Sequence, residues 1–185
     1  MRRIVVGVAS LLALTGCAGL TAGDRPAARA ELRDATGRAV GTARLEQVGD
    51  GVHLVLAVTG LPPGVHAVHL HEVGRCDPPD FASAGGHFNP GRRQHGLETP
   101  QGPHAGDLPN ITVDGDGAGR LETVTERVTL GSGPTSLFDA DGSALVVHAG
   151  PDDFRTDPAG RAGARIACGV VVKVAPAKPD PVRGY

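Results

Sequence analysis

The sequence predicts an all-β fold, an antiparallel barrel or sandwich of about eight strands with two long ordered loops. Three observations point there. Val52, Leu54, Leu56 and Val58 alternate with His53, Val55, Ala57 and Thr59, the period of two that turns one face to a core and the other to solvent. Glycine supplies 28 of 185 residues and proline 15, a mixture that suits short strands joined by turns. No segment carries a helical period of ordinary length, and aromatic residues make up only 3% with no Trp, so the core has to be built from Val, Leu, Ile and Ala.

The strands follow in order. Ala30 to Asp34 precedes a turn at Thr36-Gly37, and Ala39 to Gln47 alternates in part. Gly49-Asp50-Gly51 is a hairpin signal leading into the strand of residues 52–59. Gly60-Leu61-Pro62-Pro63-Gly64 breaks the pattern before an apolar, β-branched strand from Val65 to His71. Residues 72–106 carry no period, a length of irregular chain that normally marks function. Regular structure resumes at Leu108 to Val113, turns at Asp114-Gly115-Asp116-Gly117, and continues from Arg120 to about Thr129. Ala144 to His148 reads as a buried strand, residues 149–164 as a second long loop rich in Gly, Pro and Asp, and Arg165 to Val174 as the last strand.

The ends read differently. Arg2 and Arg3 precede an apolar run over residues 4–14, too short for the roughly 20 residues of a membrane span and suited to a signal peptide. Leu14-Thr15-Gly16-Cys17 resembles a bacterial lipobox, in which the cysteine carries the lipid. The expected organisation is a lipoprotein-type signal peptide over 1–16, a flexible tether over 17–28, one domain over 29–175 and a frayed tail over 176–185. The product is then exported to the cell envelope, anchored to a membrane outside the cytoplasm, in a periplasm or at a cell surface. Loss of Arg2 and Arg3 makes a chain of formal net charge −2 more acidic still, which argues against a nucleic-acid partner. With Cys17 assigned to lipid, Cys76 and Cys168 remain as a pair able to form a disulfide in an oxidising compartment.

The chemistry concentrates in histidines. His69 and His71 lie two apart in a strand and so project from the same face, close enough to share a metal ion. His87, His95, His104, Asp107 and His148 follow, which places six of the eight histidines in one window. Clustered imidazoles with a carboxylate beside them are donors that suit a transition-metal site. His53 reads as a surface residue, and His66 as a core histidine held by hydrogen bonds.

Five segments carry a resemblance: Gly-Val-His-Ala-Val-His-Leu-His (64–71), Ser-Ala-Gly-Gly-His-Phe-Asn-Pro (83–90), His-Ala-Gly-Asp-Leu-Pro-Asn (104–110), Leu-Val-Val-His (145–148) and Arg-Ile-Ala-Cys-Gly-Val (165–170). In this order, over about residues 28–174, the chain resembles the copper/zinc superoxide dismutases, and Cys-Asp-Pro-Pro-Asp-Phe (76–81) is similar to their bacterial, secreted branch. The resemblance implies a Greek-key barrel that disproportionates superoxide in defence of the cell envelope, with one copper and one zinc per subunit. It implies copper on His69, His71, His87 and His148, zinc on His87, His95, His104 and Asp107, and His87 bridging the two. It further implies Arg165 as the guanidinium that orients the anionic substrate, and Asp152 as a carboxylate linking His69 to His95. Relatives include monomers and dimers, so a homodimer stays open.

Arg155, Arg161 and Arg165 are candidates for a local positive funnel in an acidic chain. The loop 149–164 is short, however, and Arg161 stands where bacterial relatives often carry Asn, so steering is not carried over residue by residue. Competing readings are weaker. A metal-buffering protein on this fold predicts lost copper ligands or no arginine at 165. A copper-delivery domain favours an added Cys-x-x-Cys segment, which is absent. A zinc hydrolase requires an open position on zinc.

Overall fold

The computed structural model describes residues 26–174. The signal peptide, Cys17, the tether as far as residue 25 and the tail from 175 lie outside the described residues. Within them are ten strands: β1 Ala27–Asp34, β2 Ala39–Val48, β3 Gly51–Val58, β4 Gly64–His66, β5 Val68–His71, β6 Ile111–Val113, β7 Gly119–Thr125, β8 Ala144–His148, β9 Arg165–Val170 and β10 Val172–Val174. The only helical element among the described residues is one 3-10 turn, Ala82–Ala84. None of their helices is long and apolar enough to cross a membrane.

All strand pairs are antiparallel, and they run in the order β4-β6-β7-β3-β2-β1-β9-β8-β5, with β10 added to β1. The two ends of that path, β4 and β5, are consecutive in the chain and separated only by Ala67. One strand therefore borders both edges and nearly closes the sheet into a barrel. Ala67 takes part in neither ladder; its N–H donates to Gly150 O and its carbonyl accepts from His148 N. The strand expected at 165–174 is likewise interrupted at Val171, whose N–H donates to Ser143 O. Eight expected strands become ten because two of them switch partners at one residue.

The ends of three strands differ from expectation. β1 begins at Ala27, inside the segment expected as tether, because Ala27 pairs with Glu46 on one side and Val174 on the other. β7 ends at Thr125 and not at 129, since Thr125 faces Val52 in the last pair that β3 offers. β6 starts at Ile111, and Leu108, though fully buried, belongs to the preceding loop.

Alternation fills the core. Ala28, Ala30 and Leu32 of β1, Val40, Ala43 and Leu45 of β2, and Val52, Leu54, Leu56 and Val58 of β3 all point inward. Each fully buried Leu or Val contributes about 1.5–3 kcal/mol relative to exposure. In β5 all four residues are buried. Val68 and Leu70 enter the core, so His69 and His71 face the other way, where residues 72–110 cover them. A smaller cluster of Phe81, Ala84, Ala144, Val146 and Cys168 seats that loop on β8 and β9. Cys76 and Cys168 form the expected disulfide, with Cα atoms 5.6 Å apart and 92 positions of chain between them.

Candidate metal centre

The strand supplies the first two donors and the loop is laced onto it. Isolated antiparallel bridges join His71 to His87 and His69 to Asp107. Leu70 N donates to Gly106 O, Gly106 N to Phe88 O and Phe88 N to Leu70 O, at 2.8–2.9 Å. This three-way lacing needs Gly106, because a Cβ there would lie 2.2 Å from Leu70 O. His148 arrives from the end of β8, which pairs directly with β5.

The result is one histidine cluster. The rings of His69 and His71 are 6.5 Å apart, those of His69 and His87 3.9 Å, and those of His69 and His148 4.9 Å. His69, His71, His87 and His148 are all buried, and their donor atoms lie within 4.8 Å of one another. His69 Nδ1, His71 Nε2, His87 Nε2 and His148 Nε2 are buried with no hydrogen-bond partner. Four buried polar atoms without partners are costly in a folded protein and call for a shared occupant. A copper ion fits, because each unpartnered nitrogen belongs to a ring whose other nitrogen is spoken for. His69 Nε2 faces Asp152 Oδ2 at 2.8 Å, His71 Nδ1 faces Gly85 O at 3.0 Å and His148 Nδ1 faces Gly163 O at 3.2 Å. Those partners set the tautomer that leaves a lone pair for metal. Burial, with added repulsion from neighbouring histidines, pushes His71 down to about 2 and His148 down to about 3. Burial likewise lowers His69, against its bond to Asp152, so this group is neutral and ready to ligate.

A second group converges on Asp107. Its Oδ1 lies 2.9 Å from His87 Nδ1, 3.1 Å from His95 Nδ1 and 3.4 Å from His104 Nδ1. Its Oδ2 accepts from Gly96 N and His104 N. By mutual distance His69, His87, His95 and Asp107 also form a set. His69, however, has one nitrogen on Asp152 and the other in the first group, whereas His104 Nδ1 sits 3.3 Å from His87 Nδ1. The donors that could hold zinc are therefore His87, His95, His104 and Asp107, and His87 turns Nδ1 to this group and Nε2 to the first. Burial outweighs the Asp107 bond and takes His87 down to about 4. Burial also opposes protonation of His95, but its bonds to Asp107 and Asp152 prevail and raise it to about 9. Asp107 is held far below the usual carboxylate range because the bonds from His104, His87 and His95 overcome its burial.

Asp152 stands where it is expected, joining His69 Nε2 through Oδ2 and His95 Nε2 through Oδ1 at 2.8 and 2.9 Å. Two supports for it were not legible in the sequence. Asn110 Oδ1 accepts from Asp152 N while its Nδ2 donates to Asp152 O, a reciprocal pair across 42 positions. Gly160 has φ 62°, and a Cβ there would fall 1.8 Å from Asp152 Oδ1. Asp157, which accepts from His95 N, and Arg127, whose Nη2 donates to Asp107 O, were also missed. Asn110 ends a quoted segment; the other three carried no signal.

Arg165 donates from Nη1 to Phe81 O and from Nη2 to Gly85 O, both at 2.6 Å. Gly85 O also accepts from His71, so the guanidinium and a candidate copper ligand share one carbonyl. Arg165 lines an open cavity of about 450 Å³ with Pro79, Asp80, Ala82, Gly163 and Ala164. The other two funnel candidates are absent from that cavity. Arg155 is paired with Glu98 at 2.6 Å, and Arg161 stands 4.0 Å from Asp153, so each has a carboxylate at hand. His66 meets His148 O and Pro62 O at 2.8 Å, the core role expected of it, and His53 lies on the surface beside Glu122.

The family model described as copper/zinc superoxide dismutase matches residues 39–171. A copper/zinc superoxide dismutase of Aquifex aeolicus is 52% identical over 144 residues, covering 77% of this chain and 85% of that protein. One from Deinococcus radiodurans is 42% identical over 172 residues, covering 86% and 90%. The crystal structure of a SOD-like protein from Bacillus subtilis superposes with a TM-score of 0.74 at 37% identity, covering 78% of this chain and 97% of that one.

Proposed function

The chain belongs to the copper/zinc superoxide dismutase family, and on that premise we propose where its metals sit and where in the cell it works. It is an enzyme that disproportionates superoxide, two anions and two protons giving O2 and hydrogen peroxide. Copper belongs on His69, His71, His87 and His148, and zinc on His87, His95, His104 and Asp107. The observation that carries the copper assignment is the set of four buried imidazole nitrogens with no partner in the protein. When bound, copper supplies one-electron exchange with superoxide, and zinc, closed in by four protein donors, supplies charge and rigidity.

The rest is the work of side chains. Asp152 fixes the rings of His69 and His95 together, so the two groups keep one mutual geometry. His87 faces Asp107 and His104 through Nδ1, which leaves Nε2, whenever it is not engaged as a copper donor, as the atom that can take up a proton and give it back beside the substrate. Arg165, pinned by two loop carbonyls, presents its charge at the mouth and orients the anion by charge-assisted hydrogen bonds. Burial of all four copper donors excludes water from behind the reacting anion.

Superoxide decay, followed with the purified domain loaded with copper plus zinc and again with zinc alone, tests the reading. Fast decay only with copper is the expected result. Stoichiometric copper without decay would point to metal storage instead.

The basic start, the apolar run over residues 4–14 and the lipobox-like Leu14 to Cys17 support export with a lipid on Cys17, and so defence against superoxide outside the cytoplasm. A disulfide between Cys76 and Cys168 is compatible with an oxidising compartment. Cys17→Ser should release the protein from the membrane fraction; unchanged fractionation would refute the anchor.

A further inference from the structure

Arg127 lies two residues beyond β7, outside both metal loops. Its side chain is partly buried, its Nε is fully buried with no hydrogen-bond partner, and Nη2 donates to the main-chain carbonyl of Asp107 at 2.5 Å. Burying a cation with one donor unsatisfied is unfavourable, and an apolar side chain of similar length would avoid it. Its position therefore calls for a role.

The role follows from how Asp107 is held. Its carboxylate is fixed from the loop side by Gly96 N and His104 N, and it is the point on which His87, His95 and His104 converge. Its backbone is fixed from the barrel side by the bridge to His69 and by Arg127. We propose that Arg127 is a positioning residue for zinc, anchoring the Asp107 backbone so that the carboxylate meets the three imidazoles. The guanidinium acts through geometry and in spite of its charge, which repels a dication.

The inference rests on the zinc reading above. The holoenzymes of the wild type, Arg127→Met and Arg127→Lys are compared for the rate of zinc release to a chromogenic chelator. The thermal midpoint of each metal-free protein is measured alongside, and so is the ligand-field spectrum with cobalt(II) in place of zinc. Residues that orient metal ligands typically affect affinity 10–100-fold. Arg127→Met should release zinc about 10–100-fold faster, with a shifted cobalt spectrum and a metal-free midpoint unchanged or higher. Arg127→Lys, which keeps the charge and can offer one donor, should fall between. Release as slow as wild type or slower in Arg127→Met overturns the proposal, the latter by showing that charge repulsion outweighs positioning. If Arg127→Met does not fold, wild-type release and spectrum in Arg127→Lys, which lacks the planar fork, overturn it equally. A wild-type protein that takes up no zinc refutes the zinc reading itself, whereas zinc held normally by wild type and variants alike refutes only the role of Arg127.

Discussion

Removing the disulfide tests how the metal loop is held. Cys76 and Cys168 close 92 positions of chain, and the chain-entropy relation assigns such a loop about 4.6 kcal/mol at 25 °C. The double variant Cys76→Ser/Cys168→Ser, compared with wild type in the metal-free state, should lose close to that amount, because the loop keeps other attachments in the folded state. Phe81 and Ala84 pack on Ala144 and Val146, and Glu72 accepts from Gly86 N. A domain of this size has a urea dependence of about 2 kcal/mol per molar, so the midpoint should fall by about 2–3 M. Equilibrium urea unfolding followed by far-UV circular dichroism reads the shift directly. A loss below about 1 kcal/mol would show that the unfolded chain is already constrained, or that the bond strains the folded state, and would refute the entropic account. A loss well above 5 kcal/mol would mean that the packing of Phe81 and Ala84 fails without the bond.

Proton competition separates the two metal groups. Zinc must displace the proton that His95 retains up to about pH 9, so apparent zinc affinity should rise as pH increases from 6 towards 9, by at most tenfold per unit. His71, His87 and His148 have already lost theirs at about 2, 4 and 3, so copper affinity of the zinc-loaded protein should stay flat above about pH 5; competition titrations against chelators check both slopes. Gly160→Ala drives a methyl into Asp152 and should speed zinc release about 10–100-fold, whereas Gly163→Ala, with φ 76° but only Ala149 Cβ at 3.9 Å, should cost about 1–2 kcal/mol of backbone strain and leave zinc in place. Equal release from the two variants would remove the steric argument. Arg165→Ala should lower the rate with superoxide about tenfold or more while copper content stays at wild-type level, since its guanidinium touches no copper donor directly. An unchanged rate would leave the substrate anion without its proposed anchor.

Much of this protein is legible in the sequence because its chemistry is written on short repeats. Alternation over 52–58 shows which side of β3 is core, and the same period puts His69 and His71 on one face of β5. The order of the five quoted segments carries the family, and with it the donor sets proposed for copper and zinc and the part proposed for Asp152. These are properties of local spacing, and local spacing survives without coordinates. Tertiary structure decided what depends on partners far along the chain. Ala67 breaks a strand because its bonds go to His148, at the end of the neighbouring β8, and to Gly150 just beyond it, far along the chain, which no neighbour in sequence announces. Arg155 pairs with Glu98, 57 positions away. Asn110 steadies Asp152 across 42 positions, and Arg127 reaches Asp107 across 20. Such contacts arise only when the barrel closes and folds its loops over β5, because closure is what brings a buried carbonyl within reach of a distant donor. The identity of the donors is thus a matter of pattern, and their precision is a matter of packing.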